Sequence, residues 1–433
     1  MKNQKSYTFS IFVIGTLFFV LGFVTWLNSI LIPFLRTACE LTDFAASFVP
    51  FAFYISYFVT AIPSSFVLKK TGFSNGMALG LIIMAVGALI FVPAANSRTY
   101  ELFLIALFVQ GVGLSLLQTA VNPYATIIGP IESAARRISI MGICNKVAGM
   151  TGIFLLSNAL FPDANTALSE LLIDDPNREI VLQALSTRVI TPYLIMAAIL
   201  IGLVFFIRLA KLPEIQEEEN IVEEKSHRSI FSYPYLWFGV LAIFFYVGAE
   251  VIAIDYLVLI GESQGLATNI ATKLPVYALI ALVVGYLVGI AAIPKWISQR
   301  RAFIIQIFLA IALVAVALTT NGMITAIAVI MLSFAHAIMW PAIWPLSIRD
   351  LGKHTKLGSA FLIMAIAGGA IIPLIYGTLA GNYGYQSALA ILFVSYAYLI
   401  FFAFIGYNIE TGRPAKCAVR IDKIVLPFNA IVI

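Results

Sequence analysis

Twelve apolar stretches, each about long enough to cross a bilayer, run through this chain of 433 residues, and nearly all of its charges lie between them. A membrane-spanning helix needs about 20 consecutive apolar residues. Hydrophobic residues make up 61% of the chain and charged residues 11%, with a mean hydropathy of +0.99, whereas a soluble domain carries about 25% charged residues. The sequence therefore predicts an integral membrane protein with almost no soluble part.

The spans are predicted to be helices, because each backbone polar group inside lipid must find its partner within the same segment. The first span is too long for a removable signal peptide and has no small-residue cleavage site, so we expect it to remain in the protein. The predicted spans are residues 8–35, 43–68, 74–96, 100–129, 137–160, 190–210, 232–261, 268–293, 301–319, 321–348, 357–381 and 386–408.

The Lys and Arg residues of the connections predict the orientation, since cytoplasmic loops hold the excess of these residues. With the N-terminus inside, twenty of the 26 Lys and Arg residues lie on the cytoplasmic side, five lie outside, and Lys146 lies within a span. We therefore expect both termini in the cytoplasm. The net charge of +5 then reflects topology, and nucleic-acid binding is not expected. The five outer residues are Arg36, Arg98, Arg178, Arg188 and Lys273.

A glutamate-rich polar segment divides the chain near its middle. Residues 212–230 are predicted to be a solvated cytoplasmic linker without chemistry of its own. Six spans lie on each side, so residues 1–211 and 231–410 are expected to form two six-helix halves, and residues 411–433 a basic tail on the anionic inner leaflet. Two such halves are typical of transporters that bind their substrate near the midplane. The acidic loop 161–188 is expected to cover the outer surface.

Enzyme chemistry has no sequence support. Cys39, Cys144 and Cys417 are scattered over an outer loop, a span and the tail, which predicts neither a disulfide framework nor a metal site. The sequence shows no phosphate-binding glycine loop, no metal-ligand cluster and no nucleophile beside a base. We therefore expect neither catalysis nor a cofactor.

Four ionisable side chains lie deep in the spans, where such groups are costly and commonly mark a pathway or a coupling site: Lys146, Glu250, Asp255 and His336. Lys146 and Glu250 lie near the midplane in opposite halves, so an ion pair between them would bridge the two halves. Cation uptake at Glu250 would weaken that bridge. Glu250 and Asp255 are five residues apart, or about 140° around the helix, and Asp255 lies farther out. A static buried pair that fixes helix packing stays open as the alternative.

Aromatic and amide side chains in the spans suit an uncharged sugar. His336 and Trp340 are four residues apart on one helical face, and an aromatic ring beside hydrogen-bonding groups matches the apolar face and polar edge of a pyranose. Packing roles for His336, for Trp340 and Trp344, and for Trp26 in span 1 stay open.

Amides provide both donors and acceptors for sugar hydroxyls. Gln118 and Asn122 are four residues apart on span 4 and share a helical face, and Pro123 frees a backbone carbonyl beside them. Hydrogen bonding between helices is the alternative. The candidate amides are Asn28, Gln118, Asn122 and Asn145.

Three runs of sequence resemble a known branch of membrane transporters. They are Leu117-Gln118-Thr119-Ala120-Val121-Asn122-Pro123-Tyr124, Leu27-Asn28-Ser29-Ile30-Leu31-Ile32-Pro33, and the run from Trp340-Pro341 to Arg349-Asp350-Leu351-Gly352. The chain resembles, over essentially its whole length, the fucose permease and glucose/galactose permease branch of the major facilitator superfamily. The resemblance implies an all-α membrane protein of twelve transmembrane helices in two six-helix halves.

Two positions depart from the fucose permease pattern. Ser29 stands where that pattern has an Asp, and Gln118 where it has a Glu. Those acids are linked to proton coupling and sugar binding in the fucose permease, so its coupling cannot be carried over. The pattern around Gln118, Asn145-Lys146 and Glu250 is more similar to the glucose/galactose members. This implies that coupling has moved to Lys146, Glu250 and Asp255, with H⁺ or Na⁺ as the ion.

The sequence and the resemblance together predict a monomeric secondary active transporter that imports glucose, galactose or both with a cation by alternating access. An uncoupled hexose uniporter stays open, because both acids of the fucose permease are absent. A membrane sugar sensor that does not transport is the alternative from another class.

Overall fold

The computed structural model describes residues 2–127, 134–161, 177–210, 229–293, 296–349, 351 and 354–409. Within these residues all regular secondary structure is helical, which confirms the predicted all-α class. Eleven segments are long and apolar enough to cross a membrane: Ile11–Ala38, Asp43–Ser97, Tyr100–Val121, Ile140–Leu160, Arg178–Ala210, Pro234–Asp255, Thr268–Ala292, Gln299–Thr319, Met323–Ile348, Leu357–Tyr383 and Tyr385–Asn408.

The helices before residue 211 are here called the N-terminal half. They begin and end as follows: α1 Lys2–Thr25, α2 Asn28–Ala38, α3 Asp43–Ala46, α4 Phe48–Ser97, α5 Tyr100–Ile127, α6 Ala134–Leu160, α7 Arg178–Thr187 and α8 Ile190–Ala210.

The helices after residue 229 are called the C-terminal half, and short 3₁₀ turns connect several of them. They are α9 Pro234–Asp255, α10 Leu257–Ser263, α11 Thr268–Ala271, α12 Leu274–Ala292, α13 Gln299–Thr319, α14 Met323–His336, α15 Met339–Ile348, α16 Thr355–Met364, α17 Gly368–Tyr383, α18 Tyr385–Ala388 and α19 Leu392–Phe404.

The helix α4 contains two of the predicted spans. Its 50 residues would extend about 75 Å as one straight helix, more than twice the hydrocarbon thickness of about 30 Å. Gly72 interrupts it with φ 76° and ψ 169°, a backbone conformation that suits glycine. The predicted spans 43–68 and 74–96 lie on either side of this break. The described residues therefore hold eleven candidate segments where the sequence predicted twelve spans, because two spans are joined in one segment.

Several membrane-length segments are broken near their middle. The α1–α2 break falls at Trp26 and Leu27, and the α14–α15 break falls at Ala337 and Ile338. Pro341 explains the second break, since a proline ring clashes with the carbonyl four residues earlier and cannot donate a hydrogen bond to it. Discontinuous helices bring polar backbone and side chains into the interior of a transporter. Here they position Trp26, His336 and Trp340.

The two halves meet along a surface that we call the seam. At Gly149 on α6, a Cβ atom would lie 3.0 Å from the Leu279 side chain of α12. At Gly369 on α17, a Cβ atom would lie 3.0 Å from the Tyr54 ring of α4. At Gly377 on α17, a Cβ atom would lie 2.5 Å from Ser47 Cβ. The seam is therefore a tight interface between α4 and α6 on one side and α12 and α17 on the other.

Candidate functional site

Two acidic side chains of α9 are buried inside the apolar bundle. Glu250 is 9% exposed and Asp255 is fully buried. Glu250 Oε1 and Asp255 Oδ1 have no hydrogen-bond partner among the described residues. The Tyr246 hydroxyl, one turn before Glu250, neighbours its carboxyl group. A buried carboxylate is costly unless it is paired or protonated, so this part of α9 suits a group that takes up a cation.

Lys146, which the sequence predicted to pair with Glu250, packs on an aromatic ring. Its Nζ lies 4.1 Å from the centroid of the Trp26 ring, in a cation–π contact. It interacts electrostatically with Glu250 and Asp255, but within the described part of the chain no ion pair of 4.0 Å or less joins it to either acid. The predicted direct bridge between Lys146 and Glu250 is therefore absent here. Trp26 provides the contact instead.

The side chain of Trp26 is held by two residues of α6, Asn145 and Gly149. Its indole Nε1 donates to Asn145 Oδ1 over 3.3 Å, and Asn145 Nδ2 donates to the Phe18 carbonyl over 3.4 Å. At Gly149, a Cβ atom would lie 2.3 Å from Trp26 Cδ1, so only glycine fits against the ring. Trp26 and Asn145 therefore position Lys146, and both ends of the Asn145 amide are occupied.

A contact across the seam involves Asp255. The Tyr54 hydroxyl of α4 donates to Asp255 Oδ2 over 3.5 Å. Asn28 of α2 neighbours the Tyr54 hydroxyl, and its Nδ2 has no hydrogen-bond partner among the described residues. One amide from the predicted sugar site thus lies beside a predicted coupling acid.

His336 lies in the core of the C-terminal half. It is fully buried, and its Nε2 lies 2.8 Å from the Tyr396 hydroxyl of α19. The Tyr246 ring packs edge-on against it, with ring centroids 5.9 Å apart. Trp340 is half-buried and stacks on Trp344 at 5.4 Å. The hydrogen bond to Tyr396 favours the packing alternative for His336, whereas Trp340 keeps an accessible surface.

The remaining amides lie on α5. Gln118 is half-buried. The backbone of Asn122 belongs to α5, but its side chain lies outside the described part of the structure. The structure thus places Asn28 beside Tyr54, Asn145 beside Trp26, and Lys146 where it interacts with the acids of α9. The grouping of Gln118 with Asn122 stays a prediction.

One end of the seam carries a network of charges, which we call the Asp43 end. Arg36 Nε lies 2.7 Å from Asp43 Oδ1, and the Tyr385 hydroxyl of the other half donates to the same oxygen over 2.5 Å. Burial raises the pKa of nearby Glu262 above its usual value, whereas a hydrogen bond from Thr268 and the charge of Arg36 lower it. The two halves are in direct contact at this end.

The sequence did not single out Tyr54, Tyr246 or Tyr396. Tyr246 precedes Glu250 by four residues and therefore shares its helical face, so a search for polar groups one turn from each buried acid would have found it. Tyr54 and Tyr396 contact residues on helices that are distant from their own in sequence. A local sequence pattern cannot predict such pairs.

The sequence matches the model of a known protein family. The model of the Major Facilitator Superfamily matches residues 14–367, more than half of the chain. The chain belongs to the Major Facilitator Superfamily, and it is a multi-pass membrane transporter of that type.

Relatives with assigned substrates are similar over nearly the full length. A glucose/galactose transporter of Brucella abortus biovar 1 (strain 9-941) is 35% identical over 408 residues, covering 94% of this chain and 96% of the relative. The L-fucose-proton symporter of Escherichia coli (strain K12) is 28% identical over 419 residues, covering 95% of each. The crystal structure of the transporter FucP in the outward conformation has a TM-score of 0.71 at 28% identity, covering 93% of this chain and 99% of FucP.

Proposed function

We propose that this protein imports a neutral hexose, glucose or galactose, together with a cation across a bacterial inner membrane. The names of the relatives support the substrate: a glucose/galactose transporter and an L-fucose-proton symporter. In this proposal twelve helices form two six-helix halves with cytoplasmic termini, so the Asp43 end faces outside. The protein works as a monomer in the lipid bilayer and needs no cofactor.

One observation carries the coupling part of the proposal. Glu250 is buried on α9, its Oε1 has no hydrogen-bond partner among the described residues, and Lys146 across the seam packs on Trp26. A carboxylate without a cation close to it at the interface of two moving halves can be neutralised by a cation in one conformation and exposed to water in another. Glu250 therefore takes up the cation, and Lys146 responds to its charge.

The sugar site lies on the two sides of the seam. Trp340 offers its half-buried ring from α15, and Asn28 offers an amide nitrogen that has no partner among the described residues. A buried donor without a partner is costly, and a sugar hydroxyl would satisfy it. Gln118 and Asn122 contribute further amides. Asn145 serves the site through its hydrogen bond to Trp26, and His336 packs behind Trp340 through Tyr246.

The test is uptake of radiolabelled glucose and galactose into proteoliposomes, with an inward proton gradient, an inward sodium gradient or neither. A gradient of one pH unit is worth about 1.4 kcal/mol per proton, or about tenfold accumulation. Accumulation under one gradient establishes symport and names the ion. Equilibration alone makes the protein a uniporter, and the absence of flux for both sugars contradicts the substrate.

Trp340→Ala tests the sugar site in the same assay. Loss of the ring should raise KM for the hexose while gradient coupling is kept, because Trp340 contacts no ionisable group of the coupling set in the described contacts. A lowered coupling ratio with unchanged KM would contradict its assignment to sugar binding.

A further inference from the structure

Tyr246 of α9 lies between the proposed cation site and the proposed sugar site. It precedes Glu250 by about one helical turn on the same face, and its hydroxyl is a hydrogen-bonding neighbour of the Glu250 carboxyl group. Its ring packs against Trp340 of α15, with ring centroids 6.2 Å apart and planes at 53°. One side chain therefore neighbours both the acid assigned to the cation and the aromatic ring assigned to the sugar.

The ring of Tyr246 is held in place by its surroundings. The side chain is 1% exposed, and the His336 ring packs against it edge-on at 5.9 Å. His336 is itself fixed by the Tyr396 hydroxyl, which lies 2.8 Å from its Nε2. With the ring fixed, the hydroxyl hydrogen can still rotate about the C–O bond. Tyr246 can therefore change the acceptor of its O–H group while its ring stays where it is.

The charge of Glu250 decides where the Tyr246 hydroxyl donates. An ionised carboxylate accepts a hydrogen bond roughly twice as strong as a neutral acceptor does, so an ionised Glu250 keeps the Tyr246 donor. A proton gives the carboxyl group an O–H donor of its own, and a sodium ion would occupy its oxygens. Either cation weakens the hydrogen bond from Tyr246 to Glu250 and leaves the Tyr246 O–H group free to donate to another acceptor.

The other groups that interact with Glu250 do not reach the sugar site in the same way. None of them has a ring contact or hydrogen bond with Trp340 or His336 among the described residues. These groups are Asp255 of the same helix, Lys146 of α6, Tyr54 of α4 and Tyr286 of α12. Tyr246 thus differs from them by neighbouring both sites.

We propose that Tyr246 links cation binding to sugar binding: its hydroxyl donates to Glu250 while that acid is charged, and to a hydroxyl of the hexose once a cation has neutralised the acid. The cation therefore raises the affinity for the hexose, and the hexose raises the affinity for the cation by the same factor. This inference rests on the proposed function, which supplies the cation at Glu250 and the hexose at Trp340.

The first experiment measures hexose binding to Tyr246→Phe, which loses the hydroxyl and keeps the ring. Dissociation constants for glucose and galactose are measured by calorimetry on the full chain in detergent, at low and high pH, each with and without sodium. In the wild type the coupling cation should tighten binding about fivefold, as one added hydrogen bond would. Tyr246→Phe should match the wild type without the cation and lose the gain with it. A packing defect would weaken binding in both states.

A second experiment needs no sugar. A hydrophobic carbodiimide modifies a protonated carboxyl group, and bound sodium protects it, so labelling of Glu250 located by mass spectrometry reports cation binding. Loss of the Tyr246 donor destabilises the ionised acid, and Tyr246→Phe should therefore bind the cation more tightly. The pH midpoint of labelling should rise by about one unit, or the sodium concentration that halves labelling should fall about tenfold.

Tyr286→Phe is the matched control for both experiments. Tyr286 also interacts with Glu250, from α12, but among the described residues its ring contacts neither Trp340 nor His336. It should keep both the cation-dependent gain in hexose affinity and the labelling midpoint of the wild type.

Four outcomes overturn the inference. A cation-dependent gain retained in Tyr246→Phe removes the link, and equal weakening with and without the cation makes Tyr246 an ordinary sugar contact. An unshifted labelling midpoint removes its hydrogen bond to the charged acid, and equal effects in Tyr286→Phe remove its distinct role. The failure of the proposed function looks different, because the wild type then binds neither hexose, or binds one equally well in all ion conditions, while the labelling midpoint of Tyr246→Phe can still shift.

Discussion

Charged side chains at the Asp43 end are paired with one another, whereas in the described part of the chain no ion pair joins those inside the seam. At that end Arg36 pairs with Asp43 at 2.7 Å and Arg178 with Glu40 at 2.6 Å, partly in contact with solvent. Inside the seam, Glu250 leaves one carboxylate oxygen without a partner among the described residues. Paired surface charges add little stability, while unpaired buried ones are kept at a cost. The difference separates ion pairs within the N-terminal half, partly in contact with solvent, from buried groups to which the proposed function assigns a ligand.

The largest effect should come from replacing the acid inside the seam. Glu250→Gln removes the charge that a cation would neutralise, so gradient-driven hexose accumulation should fall to equilibrium while exchange of labelled for unlabelled sugar continues. Under a gradient of one pH unit the loss is about tenfold. Uptake and exchange in proteoliposomes measure the two properties separately.

Glu262→Gln is the matched control, because Glu262 lies on α10 near the Asp43 end and accepts a hydrogen bond from Thr268 over 3.0 Å. It should keep most of the accumulation. Unchanged accumulation in Glu250→Gln, or equal losses in both variants, would remove the distinction between the two regions.

The next effect concerns the packing that positions Lys146. Gly149→Ala places a Cβ atom 2.3 Å from Trp26 Cδ1, and overpacking of this kind costs about 1–3 kcal/mol, more than alanine gains over glycine in a helix. Both Tm in detergent and the transport rate should fall. Gly142→Ala on the same helix meets no atom within 4 Å and should be neutral or slightly stabilising. A harmless Gly149→Ala would show that Trp26 can move without consequence.

A smaller effect should follow from the hydrogen bond inside the C-terminal half. Tyr396→Phe leaves His336 Nε2, now bonded at 2.8 Å, without its partner. The cost is about 1–3 kcal/mol for an unsatisfied buried group, which should lower Tm while KM for the hexose stays unchanged. A raised KM with unchanged Tm would instead indicate that His336 binds the sugar.

The sequence predicts more of the fold than of the candidate site. The positions of the spans follow from the length of the apolar stretches and from the need to satisfy every backbone hydrogen bond within lipid. The eleven segments overlap every predicted span. The buried ionisable residues could also be found, since any charge inside a span is conspicuous. Their partners could not: Lys146 contacts Trp26 and Asp255 contacts Tyr54 across 120 and 201 positions of the chain, respectively. Opposite charge predicts Glu250 as the partner of Lys146, whereas the nearest described contact of its ammonium group is the Trp26 ring, because a π face also attracts a cation.

The smallest effect should come from the solvent-exposed part of the Asp43 end. Arg98 Nη1 lies 2.6 Å from Glu179 Oε1, but the Glu179 side chain is 78% exposed. Such pairs contribute about 0.2–1 kcal/mol, and salt screens them further. Glu179→Gln should therefore shift Tm by only a few degrees at low salt, with the shift shrinking in high salt, and hexose accumulation should be unchanged. Thermal unfolding at two salt concentrations measures this. A loss of Tm as large as that of Gly149→Ala would mean that this ion pair stabilises the protein strongly despite the exposure of Glu179.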